Sequence, residues 1–400
     1  ANVPLVNFEY TIGQNFRYFY DSIDLHITSK NSYLDYADVG YFFPDVKYLE
    51  GKFHLDGSIY GKPKNLHGEK LKIAYKEYTE LDMNMDLVGL PEKDSAKFRF
   101  DIKNFKTKPV EISEMFDYYR PENYIDTIYS NRLDSIIFTG LIDRGSKKLQ
   151  SHGDIISNLG QIKYEMNAMK EQNNQLLFDG DLQLSNFNLG KFLDAEDILQ
   201  NVTMDIYCDG TQTKKSLNAN FSGSIDTLSL LKYQYNSLDL KGVIENGSLD
   251  GEISMNDKNV QFNLLGKVAF DEKLKEADFN IEVNNLNPFA LNYLEDDPEL
   301  SASFFINSNL TGTTLDDING HLELIDGQFT RGADIIELDK IRLDIANQTD
   351  SSSIYLDSDP LSAYLRGNYK FSDLPVKIIN MVNDHLHILP PKPAINDSMG

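Results

Sequence analysis

Cysteine is all but absent: Cys208 stands alone in 400 residues. That excludes an internal disulfide and any zinc or iron–sulfur centre built from this chain's own thiolates, and it leaves the redox compartment open. No run reaches the roughly 18 to 20 apolar residues that carry a helix across a bilayer, because Asp, Asn or Lys interrupts each longer apolar patch. Positive charge is scarce. The 38 Lys and Arg face 62 Asp and Glu, a formal net charge of −24 at pH 7, which argues against nucleic acid, or an anionic membrane surface, held by bulk electrostatics. The chain opens Ala1-Asn2-Val3-Pro4, with no initiator Met, basic n-region or apolar h-region; the reading adopted is an excised piece of a longer protein.

Catalytic patterns are equally scarce. Gly57-Ser58-Ile59-Tyr60-Gly61-Lys62-Pro63 has some letters of a phosphate-binding loop, but it is a residue short and Pro63 stands where Ser or Thr should follow the Lys. No nucleophile elbow, zincin helix or dinucleotide-binding glycine run occurs. The doublets Asp296-Asp297 and Asp316-Asp317 read as solvated turn residues. His385 and His387, beside Asp384, would share one side of a strand but are too few for a metal, and His26, His54, His67, His152 and His321 are scattered singly. No catalytic residue, metal or cofactor is expected. The absence of Trp beside 23 Phe and 22 Tyr leaves glycan stacking as a lesser possibility, with Phe16, Tyr18, Phe19, Tyr20, Tyr41, Phe42 and Phe43 as its candidates. Strand propensity and core packing explain the same aromatics more simply.

What the chain has in abundance is strict alternation of apolar and polar residues, the period-2 mark of strands with one buried and one wet face. Phe178, Leu182 and Leu184 interleave with Asp179, Asp181, Gln183 and Ser185, and Gly180 takes one inward place. Leu71, Ile73 and Tyr75, Leu81 to Leu87, and Phe98, Phe100 and Ile102 repeat the pattern. Turns are expected at Glu245–Ser248, Met255–Lys258 and Ile325–Gln328, from their Asn, Asp and Gly, so neighbouring strands should be antiparallel. Glycines fall in phase with the apolar face at Gly180, Gly223, Gly251, Gly266, Gly312, Gly320 and Gly367, where a missing side chain lets a sheet curl or bulge.

A longer period overlies this one. Strands run into similar junctions at Ile102-Lys103-Asn104-Phe105, Leu184-Ser185-Asn186-Phe187, Val283-Asn284-Asn285-Leu286 and Tyr369 to Leu374. Helical linkers are expected after them, over Pro109–Tyr119, Gly190–Leu199, Pro288–Leu294 and Pro375–Asn383, with Asn287 as a cap. This predicts β units over residues 1–120, 121–200, 201–297 and 298–385, and an extended Pro-rich tail over 386–400.

Many amphipathic strands and no long amphipathic helices mean that the sheet must cover itself. It can close into barrels, pair into sandwiches, or curl into an elongated gutter lined by its apolar side, with short helices between units. The expected fold is this last, an all-β repetitive antiparallel sheet. Its lining is expected from Leu249, Ile253, Met255, Val260, Phe262, Leu264, Val268, Phe270, Phe279, Ile281 and Val283, placed on one face by the parity within each run, and then from Phe304, Ile306, Leu322, Leu324, Ile341, Leu343 and Ile345. Such a ladder can solvate acyl chains at about 0.8 kcal/mol per buried methylene.

The stretches Gly68–Tyr75, Thr79–Pro91, Phe98–Phe105, Phe221–Ile225 and Leu249–Ile253 resemble the TamB/AsmA-like translocation and assembly proteins of Bacteroidota-like bacteria. The resemblance is one of repeat style over nearly the whole chain. It implies a non-enzymatic periplasmic protein, anchored in the inner membrane, whose central β-groove carries phospholipid toward an Omp85-type outer-membrane partner. The anchor and terminal domain of that family are not recognised in this sequence, so the chain would be a central piece. The alternative is a β-repeat adhesin or structural protein with dry cores.

Overall fold

The computed structural model describes residues 5–9, 23–37, 51–90, 92, 96–111, 132–171, 173–245, 247–270, 275–294, 296–312, 315–348, 351–359 and 361–373. The chain divides into two compact units, Ala1–Lys241 and Gly242–Gly400. The first is a meander of β1 (Leu5–Glu9), β2 (Asp24–Asp35), β3 (Lys52–Lys62), β4 (Asn65–Tyr75), β5 (Thr79–Val88), β6 (Lys97–Thr107), β7 (Ile136–Arg144), β8 (Lys148–Ser157), β9 (Gly160–Lys170), β10 (Leu176–Asn188), β11 (Leu199–Gln212) and β12 (Leu217–Leu230). Each of these strands pairs antiparallel with the next. β13 (Tyr233–Glu245) crosses the division.

The second unit holds β14 (Ser248–Asn256), β15 (Gln261–Phe270), β16 (Lys275–Leu286), β17 (Leu300–Thr311), β18 (Asn319–Arg331), β19 (Asp334–Gln348), β20 (Ser351–Ser358) and β21 (Ser362–Gly367). These too pair antiparallel in sequence order. Among the described residues the outermost strands of a unit do not pair with each other, so the strand array of neither unit closes on itself. The protein is all-β and antiparallel, as its alternation requires.

Three of the four junctions are β-bulges. The register steps from Ile102 to Phe105 against β7, from Leu184 to Phe187 against β11, and from Val283 to Leu286 against β17. Each inserts one extra residue, which keeps the apolar residues on either side of the bulge on the same face. Asn186 and Asn285 adopt left-handed backbones, φ 46° and 59°, a region that Asn tolerates better than most residues. A hydroxyl opposite each bulge meets its backbone: Asn186 N–H donates to Thr203 Oγ1 at 3.1 Å, Asn285 N–H to Ser303 Oγ at 3.4 Å, and Thr139 Oγ1 donates to the Lys103 carbonyl at 3.4 Å. The same device thus recurs at three sequence positions. The fourth junction lies partly outside the described residues.

The linkers are shorter than their sequences suggest. Over Gly190–Leu199 only α1 (Leu189–Leu193) forms, stopped by Asp194 in a left-handed conformation, φ 61°. Pro288–Leu294 makes hydrogen-bonded turns instead of a helix; Asn287 nevertheless caps it, its Oδ1 accepting the Ala290 N–H at 2.8 Å. Asn188 caps α1 in the same way, accepting the Lys191 N–H at 2.7 Å. Pro109 opens a helical turn; the rest of that linker, and all of Pro375–Asn383, lie outside the described residues. Replacing Asn188 with Ala is expected to cost about 1 kcal/mol, read as a lower urea midpoint at unchanged m-value.

The expected turn at Ile325–Gln328 is not a turn. β18 runs straight through it, with Asp326 left-handed at φ 51° and the register against β17 stepping from Phe305 to Ser303. Asp-Gly chemistry supplies a bulge here because Gln328 and Phe329 continue to pair on both sides. Met255–Lys258 does turn, with Asp257 N–H donating to the Val260 carbonyl at 3.0 Å. Of the Glu245–Ser248 turn, Asn246 lies outside the described residues.

One group of fully buried residues lies at the bulged end of the strands, under the linkers. In the first unit Leu159, Leu184, Phe187 and Val202 form one cluster, joined by Leu189 and Phe192 of α1. Phe192 meets Phe187 edge-on at 5.8 Å. Arg132 ties α1 down, donating to the Phe192 carbonyl at 2.6 Å. In the second unit Met255, Val260, Val283, Leu291 and Ala302 are buried. The bulged end of each strand array is thus covered by its linker; the other end also buries residues, Ile23, Leu25 and Leu66 in the first unit and Ser308, Ser352 and Phe371 in the second, and much of the apolar face between the two ends is half-buried.

Candidate functional site

Register converts the strand list into rows that run across the sheet on one face. In the second unit, Ile253, Leu264, Ile281, Ile306, Leu324 and Ile341 are successive partners from β14 to β19. The adjacent row is Gly251, Gly266, Phe279, Ser308, Leu322, Leu343, Leu356 and Ala363, and the next is Leu249, Val268, Ala277, Leu310, Gly320, Ile345, Ile354 and Leu365. Met255, Phe262, Val283 and Phe304 form a fourth row beside the linker. No charge enters any of them. Val260 precedes β15 and is buried beside its end, and Phe270 pairs with Lys275 at the far end of β15, its side chain lying outside the described ones. The residues named from parity are thus brought together by the strand pairing.

These rows are neither a dry core nor a wet surface. Met255, Val283 and Ser308 are buried, but Leu264, Phe279, Ile281, Ile306, Leu324 and Ile341 are half-buried, and Ile253 is 36% exposed. Eight strands at about 4.8 Å spacing make a row roughly 34 Å long, about twice the ~15 Å of one leaflet's hydrocarbon.

The first unit carries a second such face, whose alternation is legible in the sequence of β5, β6 and β10 but whose residues are not among the expected lining. Leu81, Phe105, Phe138, Ile155, Ile162, Leu184, Met204 and Ile225 form one row; Met83, Ile102, Gly140, Gly153, Tyr164, Leu182, Ile206 and Gly223 form the next. A third contains Ser151 and Cys208 among Met85, Phe100, Ile142, Met166, Gly180 and Phe221. Ser151 and Tyr164 satisfy each other through their hydroxyls at 2.8 Å. Burial first, and then Asp209, push the Cys208 thiol up, so it stays protonated and apolar. Leu182 and Met166 remain 37% and 41% exposed. The paired Gly140 and Gly153 interrupt the run of large residues in β7 and β8. A Cβ on Gly140 would sit 2.2 Å from the His152 carbonyl oxygen, and one on Gly153 2.7 Å from that of Thr139. Only glycine allows strands to approach so closely, as a tightly coiled sheet demands.

The opposite face is polar and cross-linked. Gln183 donates to Asp205, Asn220 to Asp209, and Asn307 to Asn280. Arg342 joins Glu323 at 2.7 Å and Asp344 at 2.8 Å, with Lys340 also 3.0 Å from Glu323. The Glu323 carboxyl is held below its ordinary range, first by the hydrogen bond from Lys340 and then by Arg342, against the opposing effect of burial. Asp344 is lowered chiefly by Arg342. A carboxylate lowered on folding stabilises above its unfolded pKa and loses that contribution as pH falls through the folded value. The second unit is therefore expected to lose thermal stability below the ordinary carboxylate range, and Glu323→Gln to flatten that decline in a series of melting curves.

The remaining sequence candidates do not assemble. Ser58 to Lys62 of the loop-like motif lie in β3, with Gly57 at a bulge, φ 118°. Asp297 pairs with Arg331 at 3.0 Å, and Asp316 accepts from the Ser372 backbone at 2.9 Å. His67 meets Asp86 at 2.6 Å on the polar face. Phe16, Tyr18, Phe19, Tyr20, Tyr41, Phe42, Phe43, Asp384, His385, His387 and the 386–400 tail lie outside the described residues. Among the described residues no group of three or more His, Cys, Asp or Glu could hold a metal ion, and no helix is long and apolar enough to cross a membrane. In comparisons with known proteins the chain matches no family model, no curated protein and no solved structure.

Proposed function

We propose that this chain is a non-enzymatic scaffold or conduit for envelope lipids, binding the acyl chains of phospholipids along its apolar faces. The observation that carries this reading is the half-exposed state of uncharged rows such as Leu264, Ile281, Ile306 and Leu324. A soluble protein gains nothing from keeping so much contiguous hydrocarbon near water unless something else covers it. An acyl chain does so at about 0.8 kcal/mol per methylene buried, without needing a matched polar group anywhere along the row. The polar outer face, laced by Gln183–Asp205 and Arg342–Glu323, stays in water. Placement in the periplasm, within a longer protein reaching from an inner-membrane anchor toward an Omp85-type outer-membrane partner, follows from the TamB/AsmA-like resemblance and belongs to the same proposal.

Native mass spectrometry of gently extracted protein tests it. Phospholipid adducts that survive purification, and that exchange for added lipid, are the expected result. Protein that stays free of lipid when offered it in excess would count against the reading.

A further inference from the structure

Within the apolar rows of the second unit one side chain is out of character. Ser308 is 0% exposed, and its hydroxyl has no hydrogen-bond partner among the described residues. Its partners across the sheet are Phe279 on β16 and Leu322 on β18, so both cross-strand neighbours on its face are apolar. A buried hydroxyl without a partner forfeits its hydration, a loss that an alanine there would avoid. The contrast with Ser151 is instructive, since that apolar-face serine is satisfied by Tyr164.

Two features make the position suited to a ligand's polar atom. Ser308 stands three residues inside Thr311, the last residue of β17, roughly 10 Å from the strand end. That end is opposite the linker-sealed one and carries exposed Glu276 and Asn309. Beyond Phe279 in the same row, Gly266 and Gly251 carry no side chains, so the row offers no further polar group.

We propose that Ser308 donates a hydrogen bond to the ester carbonyl of a bound acyl lipid, fixing the junction between chain and headgroup about 10 Å inside the end of β17. The chain then lies along the apolar rows, and the headgroup reaches water past the strand end. This rests on the acyl-chain reading given above, and it adds to that reading a preference for ester-linked lipid.

The test offers the full chain an equimolar mixture of dioleoyl phosphatidylcholine and its dioleyl ether analogue, and reads the ratio of bound lipids by native mass spectrometry. The wild type is expected to favour the ester roughly fivefold. Ser308→Ala is expected to bring the ratio to about one while holding the ether lipid as the wild type does, at unchanged or higher thermal stability. Ser308→Cys, nearly the same in shape but a weak donor, is expected to follow the alanine variant. Equal binding of both lipids by the wild type, or an ester preference that survives in both variants, overturns the assignment of Ser308 alone. A wild type that binds neither lipid overturns the acyl-chain reading with it.

Discussion

Leu264→Asp and Phe279→Asp are expected to empty the second unit of phospholipid while leaving it folded. Both positions are half-buried, on neighbouring strands and in adjacent uncharged rows. On an open face a carboxylate at either site keeps much of its hydration, so its cost to folding stays near 1 kcal/mol. For an acyl chain lying along the row the same carboxylate is prohibitive. The chain must either strip it of water or abandon the methylenes beyond it, and four lost methylenes at about 0.8 kcal/mol each already lower affinity more than a hundredfold. Thermal stability and lipid occupancy should be measured on the same samples. If both variants unfold, these rows are a packed core and the acyl-chain reading fails.

Val202→Asp is expected to do the reverse. Val202 is 1% exposed and sits with Leu159, Leu184 and Phe187 beneath α1. A carboxylate there has neither water nor a partner, and its burial should cost at least ~4 kcal/mol, a fall in melting temperature of roughly 8–16 °C. Leu182→Asp supplies the control: that residue is two positions from Leu184 on the same face of β10, yet 37% exposed. Its variant should melt within a few degrees of the wild type. Equal damage from the two substitutions would mean that the sealed end and the open rows are not distinct environments.

Strand parity made most of this architecture legible. Period-2 alternation depends only on which way successive Cβ atoms point, so Phe262, Leu264, Phe279 and Ile281 could be placed on one side before any pairing was known. The junction motifs were legible as repeats, but their meaning was not. Val283-Asn284-Asn285-Leu286 reads as a strand end, whereas the strand continues through a bulge, because a left-handed Asn and a hydroxyl across the ladder make one extra residue tolerable. The same ambiguity turned Asp326-Gly327 into an apparent hairpin: φ above zero is needed in both cases, and composition does not say whether pairing resumes. Linker helices were overestimated because the ten residues between β10 and β11, and the thirteen between β16 and β17, are too few to repay helix nucleation beyond about one turn. In the first unit the alternation of β4, β5, β6 and β10 was legible, whereas that of β7 and β8 was not, because Gly140 and Gly153 occupy inward places. Ser308 could not be singled out either, since a serine in a strand looks the same from sequence whether its hydroxyl points to water or to hydrocarbon.

The central claim is that one face of the strands, and not the other, touches acyl chains. It is tested most directly by a photoreactive residue placed in turn at Ala277, Asp278, Phe279, Asn280 and Ile281, with phospholipid crosslinks scored after irradiation of the full chain. Successive residues of β16 alternate between the apolar and polar faces. The account predicts lipid crosslinks at Ala277, Phe279 and Ile281 and none at Asp278 or Asn280; crosslinks of equal strength at all five positions, or at none, would contradict it.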